Sequence, residues 1–255
     1  MATIRMTMFS DVLGMNTNIT ILTPKRPKKK PEEMPVMFLL HGLYEDATDW
    51  AYKSQAALYA DVFQMVFVCP EVQRSFYINM EYGLQYETYI QEELPAKLEE
   101  MFHFTCVREH TYVCGISMGG YGALKWALKK PEFFTGCAAF SSAVDLKQMA
   151  SDNQVVFRRE ITGIAGARME GLDGNDLYTL VKQADESAKK LPCYLACGTQ
   201  DFTYSMNVDF VKQLEELGFD ITFQTGEGSH DWMYWNDALK HALNFFVSKT
   251  SGDDL

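Results

Sequence analysis

The chain has 255 residues, 47% hydrophobic and 22% charged, the composition of an ordinary globular domain. Its formal net charge of −11 repels phosphate backbones and anionic bilayers, which argues against nucleic-acid and membrane partners. No stretch approaches the ~20 apolar residues of a membrane span, and MATIRMTMFSDVLG lacks the continuous apolar core of a signal peptide, so a cytoplasmic protein is expected.

Residues 3–9 alternate as a half-exposed strand does, and a second strand follows at 18–22; the two predict an antiparallel hairpin at a sheet edge. KRPKKKPEEMP (25–35), with three prolines and five basic residues, reads as a solvated loop. Continuous apolar runs follow at 36–40, 65–69, 111–117, 137–142, 193–198 and 221–225, as expected of strands that are mostly buried on both faces. Helical patterns lie at 50–60, 87–102, 119–130, 205–217 and 235–248, with Pro95 predicting a kink or a late start in the second. This alternation predicts a mainly parallel sheet of about eight strands with helices on both faces, in one domain over 1–255. Residues 145–190 are polar, dotted with glycine and too long for a bare connection, so they read as a small lid-like insertion over the active edge.

Six cysteines are present, with no C-x-x-C pair and no Cys/His cluster of zinc spacing, so all six are expected to be reduced core thiols and no metal is expected.

Gly115-Ile116-Ser117-Met118-Gly119 joins a buried strand to a helix. Serine in that setting is a nucleophile elbow: glycines at 115 and 119 remove side chains that would clash across the turn. Ser117 then stands at a helix N-terminus, where free amides favour developing negative charge. A serine hydroxyl needs a base. His103 and His110 fall at the opposite end of the strands, His241 lies within the last helix, and His41 follows the first buried strand as a structural hydrogen bonder. His230, between the last strand and the last helix, shares the elbow's edge of the sheet. Asp201, after the strand CYLACG, is the acid expected to orient it, with Asp145 as its rival; Asp231 reads as a helix-start residue.

Acyl transfer also needs amides aimed at the oxyanion. The Met118 N–H, next after the nucleophile, is one expected donor. The Leu43 N–H, in the loop His41-Gly42-Leu43, is the other. Trp50, Phe76, Tyr77, Tyr82, Tyr121, Trp232 and Trp235 lie near loops or helix starts at this edge. Of these, Trp50, Trp232, Tyr121 and Tyr77 are taken as substrate-binding candidates, Trp50 and Trp232 foremost because each adjoins a catalytic loop.

HGLYEDATDW, YGLQYETYIQEELP, GISMGGYGALKWAL, GTQDF, LEELGFDITF and GSHDWMYW together resemble the esterase family that includes esterase D. Within that family they are most similar to the bacterial tributyrin esterases, near the small cinnamoyl and acetyl-xylan esterases. The resemblance spans residues 3–248. It implies an α/β-hydrolase fold, a Ser117–His230–Asp201 triad and oxyanion donors at Leu43 and Met118. It also implies a short-chain carboxylesterase without cofactor, often a homo-oligomer, acting on small-molecule esters or acylated carbohydrates. S-formylglutathione and hydroxycinnamate esters are its alternative substrates. An inactive hydrolase serving as a binding module is the non-enzyme alternative.

Overall fold

The computed structural model describes residues 1–151 and 155–251. Strands β1 (Ala2–Ser10) and β2 (Met15–Thr23) pair antiparallel from Ala2↔Thr23 to Ser10↔Met15. Gly14, at φ 65°, closes the turn between them with its amide on the Ser10 carbonyl. β2 lies antiparallel on β4 (Val66–Pro70), and from there every pairing is parallel. The remaining strands are β3 (Val36–Leu40), β5 (Thr111–Ile116), β6 (Gly136–Phe140), β7 (Cys193–Gly198) and β8 (Ile221–Gly226). The order across the sheet is β1-β2-β4-β3-β5-β6-β7-β8, so the expected eight-stranded, mainly parallel sheet with a hairpin edge is present.

Every residue of β3 to β7 is buried, which explains their unbroken apolar runs: a central strand has no solvent face. β8, at the open edge, keeps an exposed Thr222 and two exposed C-terminal residues. Alternate side chains enter opposite cores. Val36, Phe38 and Leu40 enter one; Met37 and Leu39 enter the other, with Trp50, Trp235 and Phe246.

α1 (Asp49–Lys53) and α2 (Ala56–Phe63) replace the single helix expected at 50–60. Ser54 is extended between them; its Oγ donates to the Trp50 carbonyl and accepts the Ala56 amide, a side-chain cap that outcompetes helix continuation. α3 (Tyr86–Thr88) passes through a wide π-type turn at Tyr89–Glu93 into α4 (Leu94–Phe102). Pro95 sits in the first turn of α4, the restart that its missing N–H imposes. α5 (Met118–Lys129) follows the elbow, α10 (Tyr204–Glu216) precedes β8, and α11 (Trp232–Ser251) ends the described chain. α11 begins three residues earlier than its apolar pattern because Asp231 Oδ1 accepts the Met233 and Tyr234 amides.

The segment 145–190 carries α6 (Leu146–Ser151), α7 (Val155–Ala165), α8 (Leu177–Gln183) and α9 (Glu186–Lys189). Polar latches tie it down. Lys125, fully buried on α5, donates to the Tyr77 carbonyl at 2.6 Å, to Glu87 at 2.9 Å and to Asn175 Oδ1 at 3.3 Å. Tyr121 Oη donates to the Asn175 carbonyl at 2.6 Å. Burial draws the Lys125 ammonium down to about 8 against the pull of Glu87.

Candidate active site

The elbow is built from backbone packed on backbone. A Cβ on Gly115 would stand 2.1 Å from the Gly119 carbonyl oxygen, and one on Gly119 would stand 2.2 Å from that of Leu40. No side chain fits either position, so the turn closes tightly enough to hold Ser117 at φ 54°, ψ −115°. Such a conformation costs of order 1–3 kcal/mol and survives only when its surroundings over-determine it. Here the Ser117 amide donates to the Phe140 carbonyl, and its own carbonyl accepts from Tyr121 and Ala143.

His230 and Asp201 arrive from loops at the C-terminal ends of β8 and β7. His230 Nε2 lies 3.0 Å from Ser117 Oγ, and Nδ1 lies 3.0 Å from each oxygen of Asp201. With Nδ1–H donating to the carboxylate, Nε2 is the acceptor that faces the hydroxyl. Asp201 is buried; burial pushes its carboxyl up, but the His230 hydrogen bond and charge, the Ser141 hydroxyl and the Thr203 amide outweigh it and hold it below the usual aspartate range. Trp235 Nε1 in turn donates to Ser141 Oγ at 2.9 Å. The rival Asp145 accepts the Gln148 amide and caps α6 instead.

His41 is fully buried, with Nε2 accepting the Val72 amide and Nδ1 on the Gly42 carbonyl at 2.8 Å. A trans peptide points its N–H opposite to its carbonyl, so the Leu43 amide faces away from His41. It has no protein acceptor among the described residues, and Leu43 lines the cleft beside Ser117. Met118 opens α5, where the helix cannot use its N–H.

The cleft above Ser117 has a volume of about 600 Å³. Trp232 and Trp235 line it, as do Phe157 of α7 and Phe202. Phe202 packs on the His230 ring at 4.5 Å between centroids and stacks on Phe157 at 6.4 Å. The segment 145–190 therefore reaches the cleft through Phe157. Three expected substrate contacts are not on this surface. Trp50 is buried behind Trp232, edge-on at 5.0 Å, with Nε1 on the Leu40 carbonyl. Tyr77 is buried with its Oη on the His41 carbonyl, and its ring fills the space a side chain at Gly122 would need. Tyr121 is buried on the insertion side of α5. Trp50 and Tyr77 brace the Leu40–His41 backbone from behind and Tyr121 ties α5 to Asn175, because position along the chain says nothing about which side of an element a ring occupies. Phe76 is buried too, and Tyr82 is exposed away from the cleft lining. Phe202 had a signal in the sequence, its place directly after Asp201; Phe157, Glu45 and Lys53 had none.

The family described as Putative esterase matches residues 10–246. The chain belongs to that family. A curated relative, the acetyl esterase of Caldicellulosiruptor saccharolyticus, is 30% identical over 98% of this chain and 100% of its own length. Among solved structures, FphF, a fluorophosphonate-binding serine hydrolase of Staphylococcus aureus, superposes with a TM-score of 0.87 at 28% identity, covering 96% of this chain and 98% of that one. FrmB, an S-formylglutathione hydrolase of the same organism, gives 0.83 at 29% identity, covering 96% and 98%. The protein is thus an esterase, a carboxylic ester hydrolase with the α/β-hydrolase fold. No helix among its described residues is long and apolar enough to cross a membrane.

Proposed function

We propose that this esterase hydrolyses short acyl esters, acetylated carbohydrates among them, through Ser117, His230 and Asp201. The observation that carries the reading is the unbroken relay of 3.0 Å contacts from Ser117 Oγ through His230 to Asp201. His230 Nε2 takes the hydroxyl proton as Oγ attacks the ester carbonyl. Asp201 holds the ring and stabilises its cationic form. The Leu43 and Met118 amides receive the oxyanion, each worth ~3–4 kcal/mol in the transition state. Collapse expels the alcohol with the proton from His230, and water, activated by the same imidazole, cleaves the acyl-enzyme.

The aromatic wall of Phe157, Phe202 and Trp232 suits a small acyl group or the face of a sugar ring. A second reading, thioester hydrolysis, is favoured by the likeness to FrmB and would use the same relay. All six cysteines are free, five of them buried, which supports a reducing, cytoplasmic setting. Ser117→Ala should abolish turnover of a chromogenic acetate ester while leaving the thermal unfolding curve in place. Turnover retained by the purified variant overturns the assignment. A panel of acetyl, butyryl, octanoyl, feruloyl and S-formyl substrates, compared by kcat/KM, identifies the acyl preference.

A further inference from the structure

Glu45 lines the cleft together with Ser117, and the proposed hydrolysis leaves it unused. Its Oε2 accepts the Gly42 amide at 2.8 Å and its Oε1 accepts the Trp232 indole N–H at 2.6 Å. It is therefore pinned between the oxyanion loop and the helix that follows His230. A methyl group placed on Gly42 would stand 3.0 Å from Glu45 Oε2 and 3.6 Å from Ser117 Cβ, so the carboxylate and the nucleophile flank the same small volume. Burial pushes the Glu45 carboxyl above its usual range, with Asp49 adding to the rise; the Gly42 and Trp232 hydrogen bonds and Lys53 oppose it.

The surrounding charges do not cancel it. Lys53 is the one lysine or arginine that lines the cleft among the described residues. It lies 3.9 Å from Glu45 Oε1 but only 2.5 Å from Asp49, so Asp49 holds most of its charge. Asp231, which also lines the cleft, adds another carboxylate. Arg74 donates from Nη1 to the Leu43 carbonyl at 3.3 Å, and its charge is paired with Glu160 at 2.8 Å.

We propose that Glu45 is a specificity-determining residue, whose fixed carboxylate beside Ser117 selects esters of uncharged alcohols and rejects esters whose alcohol or thiol portion carries a carboxylate. The inference rests on the hydrolytic reading above and deepens it. At a few ångströms, beside a carboxylate whose own side chain is about nine-tenths buried, like charges repel strongly enough to alter kcat/KM severalfold. A leaving group with the carboxylates of glutathione meets that repulsion; an acetylated sugar does not.

The test compares 4-acetoxybenzoate with its uncharged methyl ester at pH 8, in the wild type, Glu45→Gln and Glu45→Ala. Each variant should raise the anionic-to-neutral ratio of kcat/KM by about 5- to 10-fold. Damage to the oxyanion loop lowers both substrates together and leaves that ratio unmoved, so a ratio equal to wild type in both variants overturns the proposal. The wild type supplies a check that needs no variant: it should disfavour the anion at least about 5-fold more than hydroxide ion does in buffer of equal ionic strength. Equal discrimination by enzyme and hydroxide overturns the proposal as well. If Ser117→Ala hydrolyses the neutral ester, the hydrolytic reading fails first, and the two failures are distinguishable.

Discussion

The two sides of the cleft are held by different physics. On the elbow side, Gly115 and Gly119 bring backbone against backbone at separations that exclude even a methyl group, and Ser117 is strained into place by its neighbours' main chains. On the insertion side, the wall is made of side chains: Phe157 stacks on Phe202, Asn175 is tied to Lys125, Lys129 and Tyr121, and Glu160 is paired with Arg74. Backbone contacts fix a geometry that no substitution can tune. Side-chain contacts can be exchanged one at a time. The arrangement therefore separates a rigid main-chain turn at Ser117 from a cleft wall that side-chain exchange can adjust.

The largest effect should come from the polar end of the catalytic side. Asp201→Asn keeps the shape but favours the wrong imidazole tautomer, and kcat should fall by about 10⁴-fold with KM little changed. A drop under about 10-fold would show that another acid orients His230. The same substitution sharpens a pH effect. Because the folded carboxyl titrates below its unfolded value, it contributes stability at pH above the ordinary aspartate range, lost as pH falls through the depressed folded value. Denaturant titrations at stepped pH should show that acid limb in the wild type and a flatter one in the variant.

Next in size is Gly119→Ala. Its Cβ would meet the Leu40 and His41 carbonyl oxygens at 2.2 and 2.7 Å, both rigid backbone, so unfolding free energy should drop by at least about 3 kcal/mol with activity falling alongside. Near-native stability would break the comparison, since the elbow would then tolerate what a side-chain wall tolerates. Smallest is Phe157→Ala. On the adjustable side it should raise KM for the preferred acyl ester roughly 10-fold and leave kcat within about 2-fold. A fall in kcat with KM unchanged would mean that the insertion supports the catalytic relay through Phe202 rather than the substrate.

Much of the catalytic side was legible in the amino-acid order. The strand–elbow–helix unit is local: G-x-S-x-G after a buried run encodes its own turn, and His230 and Asp201 follow strands whose carboxyl ends must share one rim of a parallel sheet. The pairing of residues 3–9 with 18–22 was equally local. What the sequence could not convey was the side of each loop on which a ring falls. Trp50 lies seven residues after Leu43 and Tyr121 four after Ser117, and Tyr77 lies in the loop after β4, yet each is buried away from the cleft lining.

The sequence by itself thus determined the sheet, the strained turn at Ser117 and the strand ends that bring His230 and Asp201 to it, because periodicity and turn chemistry act over a few neighbouring residues. Only the tertiary structure decided the lining of the cleft. Phe157 enters from a distant helix, and Glu45, which as a loop carboxylate resembles any solvated acid, acquires its place from an indole 187 residues away. Contacts between remote segments depend on how whole layers pack, and no local pattern records that.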